Sequence, residues 1–153
     1  MNQLKTILLL GALSVLLGDA DQDFTYNNIN GAFRLLIAGA PLVAMGKNRY
    51  FMQEDGLSID AGAFVTALEY AADTEAIITG KPDPAFYRSA VDSMGCDMQQ
   101  VIMVGDDVEA DVNGALAVGM RALLVRTGKY RDGDEQRIDN DRGVCVQDFN
   151  EAV

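Results

Sequence analysis

Histidine is absent from all 153 positions. No Ser-His-Asp triad, no Cys-His pair and no imidazole zinc site can therefore be built from this chain. Cysteine is scarce: Cys96 and Cys145 stand far apart, in no metal-binding spacing. They read as reduced thiols of a cytoplasmic protein rather than as a disulfide. Positive charge is also short. Twelve Lys and Arg against 23 Asp and Glu leave a net charge of −11. That argues against a nucleic-acid partner, whose phosphates need Lys and Arg, and against an anionic membrane surface. The apolar run in MNQLKTILLLGALSVLLGDA is short for a transmembrane helix. With Lys5 before it and Ala20 after it, the run has the outline of a signal peptide; its other reading is a buried strand or helix. No internal repeat or low-complexity stretch is present. Chemistry is left to carboxylates, lysine, hydroxyls and a hard metal ion.

Apolar residues make up 49% of the chain, enough for a core in one average domain, or in a small domain plus part of another. Periodicity predicts a strand at Ser14–Leu17 and a helix at Tyr26–Ala38, with Ile29, Ala32, Phe33, Leu36 and Ile37 on one face. A short strand follows at Pro41–Met45, then a turn-rich polar stretch at Gly46–Ala61. A helix is expected at Ala63–Ala72, with Phe64, Leu68 and Ala71 on one side. After it the pattern becomes regular. Strands are expected at Ala76–Ile78, Val101–Val104, Ala122–Val125 and Gly143–Val146. Between them lie helices at Pro84–Met94, with Asp83 as N-cap and Gly95 as its end, and at Val108–Val118. Such alternation predicts an α/β fold: a parallel sheet with helices on both faces.

In such sheets ligands sit beyond the carboxyl ends of the strands. Lys81 and Asp106 fall at two such ends, beside Gly80 and Gly105, which would let backbone approach a ligand closely. The stretch VIMVGDDVEAD delivers Asp106, Asp107 and Asp111 where an apolar strand stops. Like charges crowded there call for a cation. Mg²⁺ prefers oxygen ligands and keeps several waters, so one or two carboxylates suffice, and a phosphate could bridge the ion to Lys81. Asp106 would then be the direct ligand, with Asp107 and Asp111 orienting waters or bracing Lys81. The plainer reading is that Asp107 and Glu109 favour a helix N-terminus, Asp111 lies on a solvated face and Lys81 is an ordinary loop lysine. A response-regulator receiver uses the same residue types, but there the acid pair precedes the lysine; here Lys81 comes first.

TGKPDPAFY, followed by VIMVGDDVEADVNGALAVGMRALLVRTGKY, resembles the haloacid-dehalogenase-like hydrolase superfamily. Upstream, FTYNNINGAFRLLIAGAPLVAMGKNRYFMQEDGLSIDAGAFVTALEYA resembles its capped phosphatase branch, of the phospholysine/inorganic-pyrophosphatase and nitrophenyl-phosphatase types. The resemblance covers about residues 15–150. It implies a Rossmann-like core with a cap inserted in the chain. Residues 1–63 would be a partial α/β cap, and residues 64–153 the C-terminal half of the core. It implies that Lys81 contacts a phosphoryl group, that Asp106 ligates Mg²⁺ with Asp107 and Asp111 in support, and that the substrate is a phosphorylated small molecule.

The family's first motif, DxD, carries the attacking aspartate at the end of the first core strand. The stretch SVLLGDADQDF offers Asp19-x-Asp21, but Gln22 and Asp23 stand where that motif continues with glycine and a hydroxyl residue. The expectation is a polar cap loop, and a truncated phosphatase that is inactive alone. The alternatives are an enzyme using Asp19 and Asp21, or a non-catalytic interaction module that keeps the fold. Without the nucleophile strand, Val101–Val104 would be an open edge. A homo-oligomer, a complementing chain or the apolar run Ile7–Leu17 could cover it.

Overall fold

The computed structural model describes residues 7–10 and 14–152. The signal-peptide outline rests largely on residues outside these. The fold is α/β, with parallel strand pairing in its two larger sheets. Among the described residues, no helix is long and apolar enough to cross a membrane. The chain divides into two compact units, residues 1–50 with 58–80, and residues 51–57 with 81–153. The boundary expected at residue 63 falls inside a helix, Ala61–Ala72, that belongs to the first unit.

The first unit is built on a four-stranded sheet of β1 (Ile7–Leu10), β2 (Ser14–Leu17), β3 (Leu42–Ala44) and β6 (Ile77–Ile78), in the order β1-β2-β3-β6. β2, β3 and β6 run parallel, and β1 lies antiparallel on the edge. The described parts of Ile7–Leu17 therefore pair within this sheet and not with the strand that precedes GDD.

Helix α1 (Tyr26–Ile37) starts at Thr25, whose hydroxyl accepts from the Asn28 N–H. It buries Ala32 and Leu36, with Ile29 and Phe33 alongside. Ile37, expected on that face, is 61% exposed. Helix α2 (Ala61–Ala72) starts two residues earlier than expected because Asp60 caps it. Its buried stripe is Ala61, Val65 and Leu68, and Ala71 is exposed. Phe24 and Phe64 stack at 3.8 Å between ring centroids. The stretch read as polar and turn-rich holds a two-stranded sheet of β4 (Tyr50–Gln53) and β5 (Gly56–Ile59).

The second unit holds a parallel sheet of β7 (Ile102–Gly105), β8 (Arg121–Val125) and β9 (Gly143–Val146), in that order. β7 is an edge strand among the described residues. Helix α3 (Pro84–Met94) has the expected caps: the Asp83 carboxylate accepts from Ala85 N–H at 2.8 Å, and Gly95 ends it at φ +65°. Its buried residues Tyr87 and Val91 pack with Val112, Leu116, Ala122 and Leu124. The helix after GDD does not begin as a regular α-helix. Val108–Asn113 is a wide π-type turn, and only Gly114–Ala117, α4, is α-helical.

Leu68 is 1% exposed at the centre of the first unit's core. Truncation there removes buried methyl groups and leaves a void, so Leu68→Ala is expected to lower the unfolding free energy by about 2–5 kcal/mol. Urea unfolding followed by circular dichroism measures this. A loss below about 0.5 kcal/mol, the size of a surface effect, would contradict the packing described.

Candidate active site

The site grows from the end of β7. Gly105 leads into Asp106 and Asp107, and Asp111 follows one wide turn later. The Asp107 carboxylate caps that turn, accepting from Glu109 N–H at 2.9 Å and Ala110 N–H at 3.0 Å. The Asp107 carbonyl accepts from both Asp111 and Val112 N–H, and Gly114 N–H reaches back five residues to Glu109. That register leaves the Ala110 carbonyl open to another donor, and the buried Tyr87 hydroxyl donates to it. Burial first, and then the nearby charges of Asp111 and Asp107, push the Tyr87 phenol well above its ordinary value. It stays a neutral donor.

Asp111 is the most deeply placed acid of the site, with a side chain 6% exposed. A carboxylate so buried needs partners. One oxygen accepts from Lys81 Nζ at 2.5 Å, and the other accepts from Asp107 N–H at 3.1 Å. The expected lysine–acid meeting is therefore real, but its route differs from the one read in the sequence. The strand before Lys81, β6, pairs with β3 in the first unit's sheet and not with β7. Lys81 reaches Asp111 from the loop that opens α3. The two glycines also differ from expectation. A side chain on Gly105 would meet the Asp111 carboxylate, and one on Gly80 the Met45 carbonyl. Both make room for protein atoms.

Asp106 and Asp107 are held by one residue of RTGKY, Lys129, whose role the sequence pattern does not reveal. Lys129 donates its main-chain N–H to Asp106 Oδ2 at 2.8 Å and its ammonium to Asp107 Oδ2 at 2.7 Å. Burial opposes charge on both Lys129 and Asp107. Their mutual hydrogen bond and attraction overcome it, holding the Asp107 carboxyl below and the Lys129 ammonium above their ordinary values. The loop carrying Lys129 is pinned further along. Arg137 pairs with Asp134 and Glu109, and Asn113 bonds both the Arg137 carbonyl and Asp139 N–H.

The three aspartates thus do not form one open cluster. Among the described residues, no group of three or more His, Cys, Asp or Glu side chains is placed to hold a metal ion. Asp107 and Asp111 each face a lysine, whereas Asp106 has only one oxygen in its bond to Lys129 N–H. An oxygen-loving cation that keeps its waters fits Asp106 as a single carboxylate ligand. Asp19 and Asp21 are placed differently. They follow β2 in the first unit, and Asp19 spends a carboxylate oxygen on Asp21 N–H, as in a local turn.

Comparison with known proteins gives the family of the chain. Residues 78–152 match the HAD-hydrolase-like family model. The chain is 46% identical over 140 residues to human haloacid dehalogenase-like hydrolase domain-containing protein 2, covering 92% of this chain and 54% of that protein. It is 48% identical over 141 residues to the Xenopus laevis phospholysine phosphohistidine inorganic pyrophosphate phosphatase, covering 91% and 52%. Among solved structures, the 4-nitrophenylphosphatase of Thermotoga maritima superimposes with a TM-score of 0.79 at 27% identity, covering 90% of this chain and 53% of that one. The glycerol phosphate phosphatase of Mycobacterium tuberculosis, solved in complex with magnesium, gives 0.75 at 27% identity, covering 90% and 42%. The chain belongs to the haloacid-dehalogenase-like hydrolases and matches the C-terminal portion of their phosphatases. It spans about half the length of the curated relatives it matches.

The Asp107–Lys129 pair generates a pH-dependent expectation. The folded Asp107 carboxyl lies below its unfolded value of about 3.9, so its stabilisation is complete above that pH and is lost as pH falls through the folded value. Asp107→Asn keeps a capping side chain but removes the charge. It is expected to cost about 1–3 kcal/mol near neutrality, with the gap from wild type closing below about pH 4. Urea unfolding at a series of pH values reads both; a gap that does not vary with pH would remove the ion pair as its cause.

Proposed function

We propose that this chain supplies the phosphoryl-binding and metal-binding half of a Mg²⁺-dependent phosphate-monoester phosphatase site. The observation that carries the reading is the meeting of Lys81 with the GDD turn: Lys81 is fixed by Asp111, whose other oxygen accepts from the Asp107 main-chain N–H next to Asp106. The Lys81 side chain is one-third exposed and its ammonium has further protons to give, so it can donate to a phosphoryl oxygen while Asp111 holds it in place. Asp106 would hold Mg²⁺, and the ion would supply charge neutralisation at a phosphoryl oxygen. Asp107 and Asp111 stay outside direct ligation and brace the two lysines. In this reading the second unit is core and the first unit belongs to the cap, whose shape selects among phosphorylated substrates.

The attacking carboxylate is not assigned to Asp19 or Asp21. Their strand, β2, is flanked by β1 and β3, and among the described residues β7 has an unpaired edge. We place the nucleophile on a strand laid against that edge, from further polypeptide or from a complementing chain. A second reading, a non-catalytic module that keeps the fold, is favoured by the lysine pairing that already satisfies Asp107 and Asp111.

The test uses this chain with p-nitrophenyl phosphate and Mg²⁺, and with phosphate and Mn²⁺ followed by ³¹P line broadening. Hydrolysis is expected at background level in wild type and in Asp19→Asn alike. Broadening is expected in wild type and lost in both Lys81→Met and Asp106→Asn. Turnover that vanishes in Asp19→Asn and in Asp106→Asn would make Asp19 the nucleophile. Wild-type protein that leaves the phosphate line unchanged would favour the non-catalytic module.

A further inference from the structure

We infer that the Gly128–Lys129 turn is the positioning device for Asp106, fixing through the main chain which carboxylate oxygen faces the metal. The inference rests on the reading of Asp106 as the cation ligand given above. Three observations on the turn converge. The Lys129 main-chain N–H donates to Asp106 Oδ2 at 2.8 Å, which fixes the rotation of the carboxylate and turns Oδ1 out of that bond. Gly128 has φ +58°, and a Cβ there would stand 1.8 Å from the same Asp106 Oδ2. Only a residue without a side chain lets the turn close this tightly on the acid. The ammonium of Lys129 meanwhile occupies Asp107 at 2.7 Å, so one residue anchors both members of the acid pair.

The physical consequence is a ligand whose orientation is set before the ion arrives. A half-hydrated cation with a single carboxylate among the described residues is sensitive to that carboxylate's rotation, because none of them is placed to compensate. Residues that hold a ligand in this way typically change metal affinity by about 10–100-fold when altered. Gly128 is thus a positioning residue that touches neither substrate nor ion.

Gly133 provides the control. It lies five positions further along the same loop, also has a left-handed backbone at φ +98°, and faces open space where a Cβ would be. Gly133→Ala therefore introduces comparable backbone strain without reaching Asp106. The full chain and both variants are titrated with Mn²⁺, free ion being counted by electron paramagnetic resonance, with thermal melts confirming that each variant is folded. Gly128→Ala is expected to weaken Mn²⁺ binding about tenfold or more, and Gly133→Ala to bind as wild type does. Wild-type affinity in Gly128→Ala would overturn the positioning role while leaving the metal reading intact. Equal weakening in both variants would assign the effect to loop strain and overturn it too. Wild-type protein that takes up no Mn²⁺ would instead defeat the metal reading, and the positioning role with it.

Discussion

A carboxylate cannot sit under the end of an apolar strand without donors around it, and in this chain that carboxylate is Asp111. Its burial sets the demands that its surroundings meet. Lys81 must come in from the loop before α3, so that loop is tied to the turn after β7. Asp107 must present its N–H, so the wide turn after GDD has to wrap around Asp111. Gly105 must lack a side chain, because the Asp111 carboxylate fills the space one would take. Lys81 and the acidic end of β7 are therefore joined through one buried negative charge. Opposite charges alone would leave that geometry loose. The main-chain donor and the missing Cβ make it definite.

Much of this was legible in the sequence where residue type carries the information. α3 was bounded correctly because Asp83, Pro84 and Gly95 each have a local conformational reason to be where they are. β2 and β9 emerged from short apolar runs at their observed limits. Lys81 and the aspartates were found because charge placed at the end of an apolar strand is costly and therefore informative. The β4–β5 sheet was missed although Asp55-Gly56 is a recognised turn signal. Its strands are half exposed and mixed in character, so the alternation that marks a strand is faint.

Two failures have a deeper cause. The sheet membership of β6 could not be read from its sequence, because a two-residue strand fits any parallel sheet equally well. Its pairing with Val43 and Ala44 follows from the packing of the first unit's core around Leu42 and Val65. Lys129 was missed because half of its role belongs to its peptide N–H, which every residue but proline possesses. Its ammonium reaches Asp107 across 22 positions of chain, and no spacing rule encodes such a distance. The wide turn at Val108–Asn113 was likewise hidden, since it depends on a tyrosine hydroxyl from another helix claiming the Ala110 carbonyl.

That hydroxyl gives the chain an optical property. There is no tryptophan, so ultraviolet emission and near-ultraviolet dichroism come chiefly from five tyrosines. Tyr26 and Tyr70 are largely exposed to water, and they contribute little asymmetry. Tyr87 is locked inside the second unit, with its oxygen on a carbonyl one residue before Asp111. A buried intrinsic chromophore of the protein therefore sits beside the acid turn. A change in the geometry of that turn would be visible in the untagged, unlabelled chain as a change in tyrosine light.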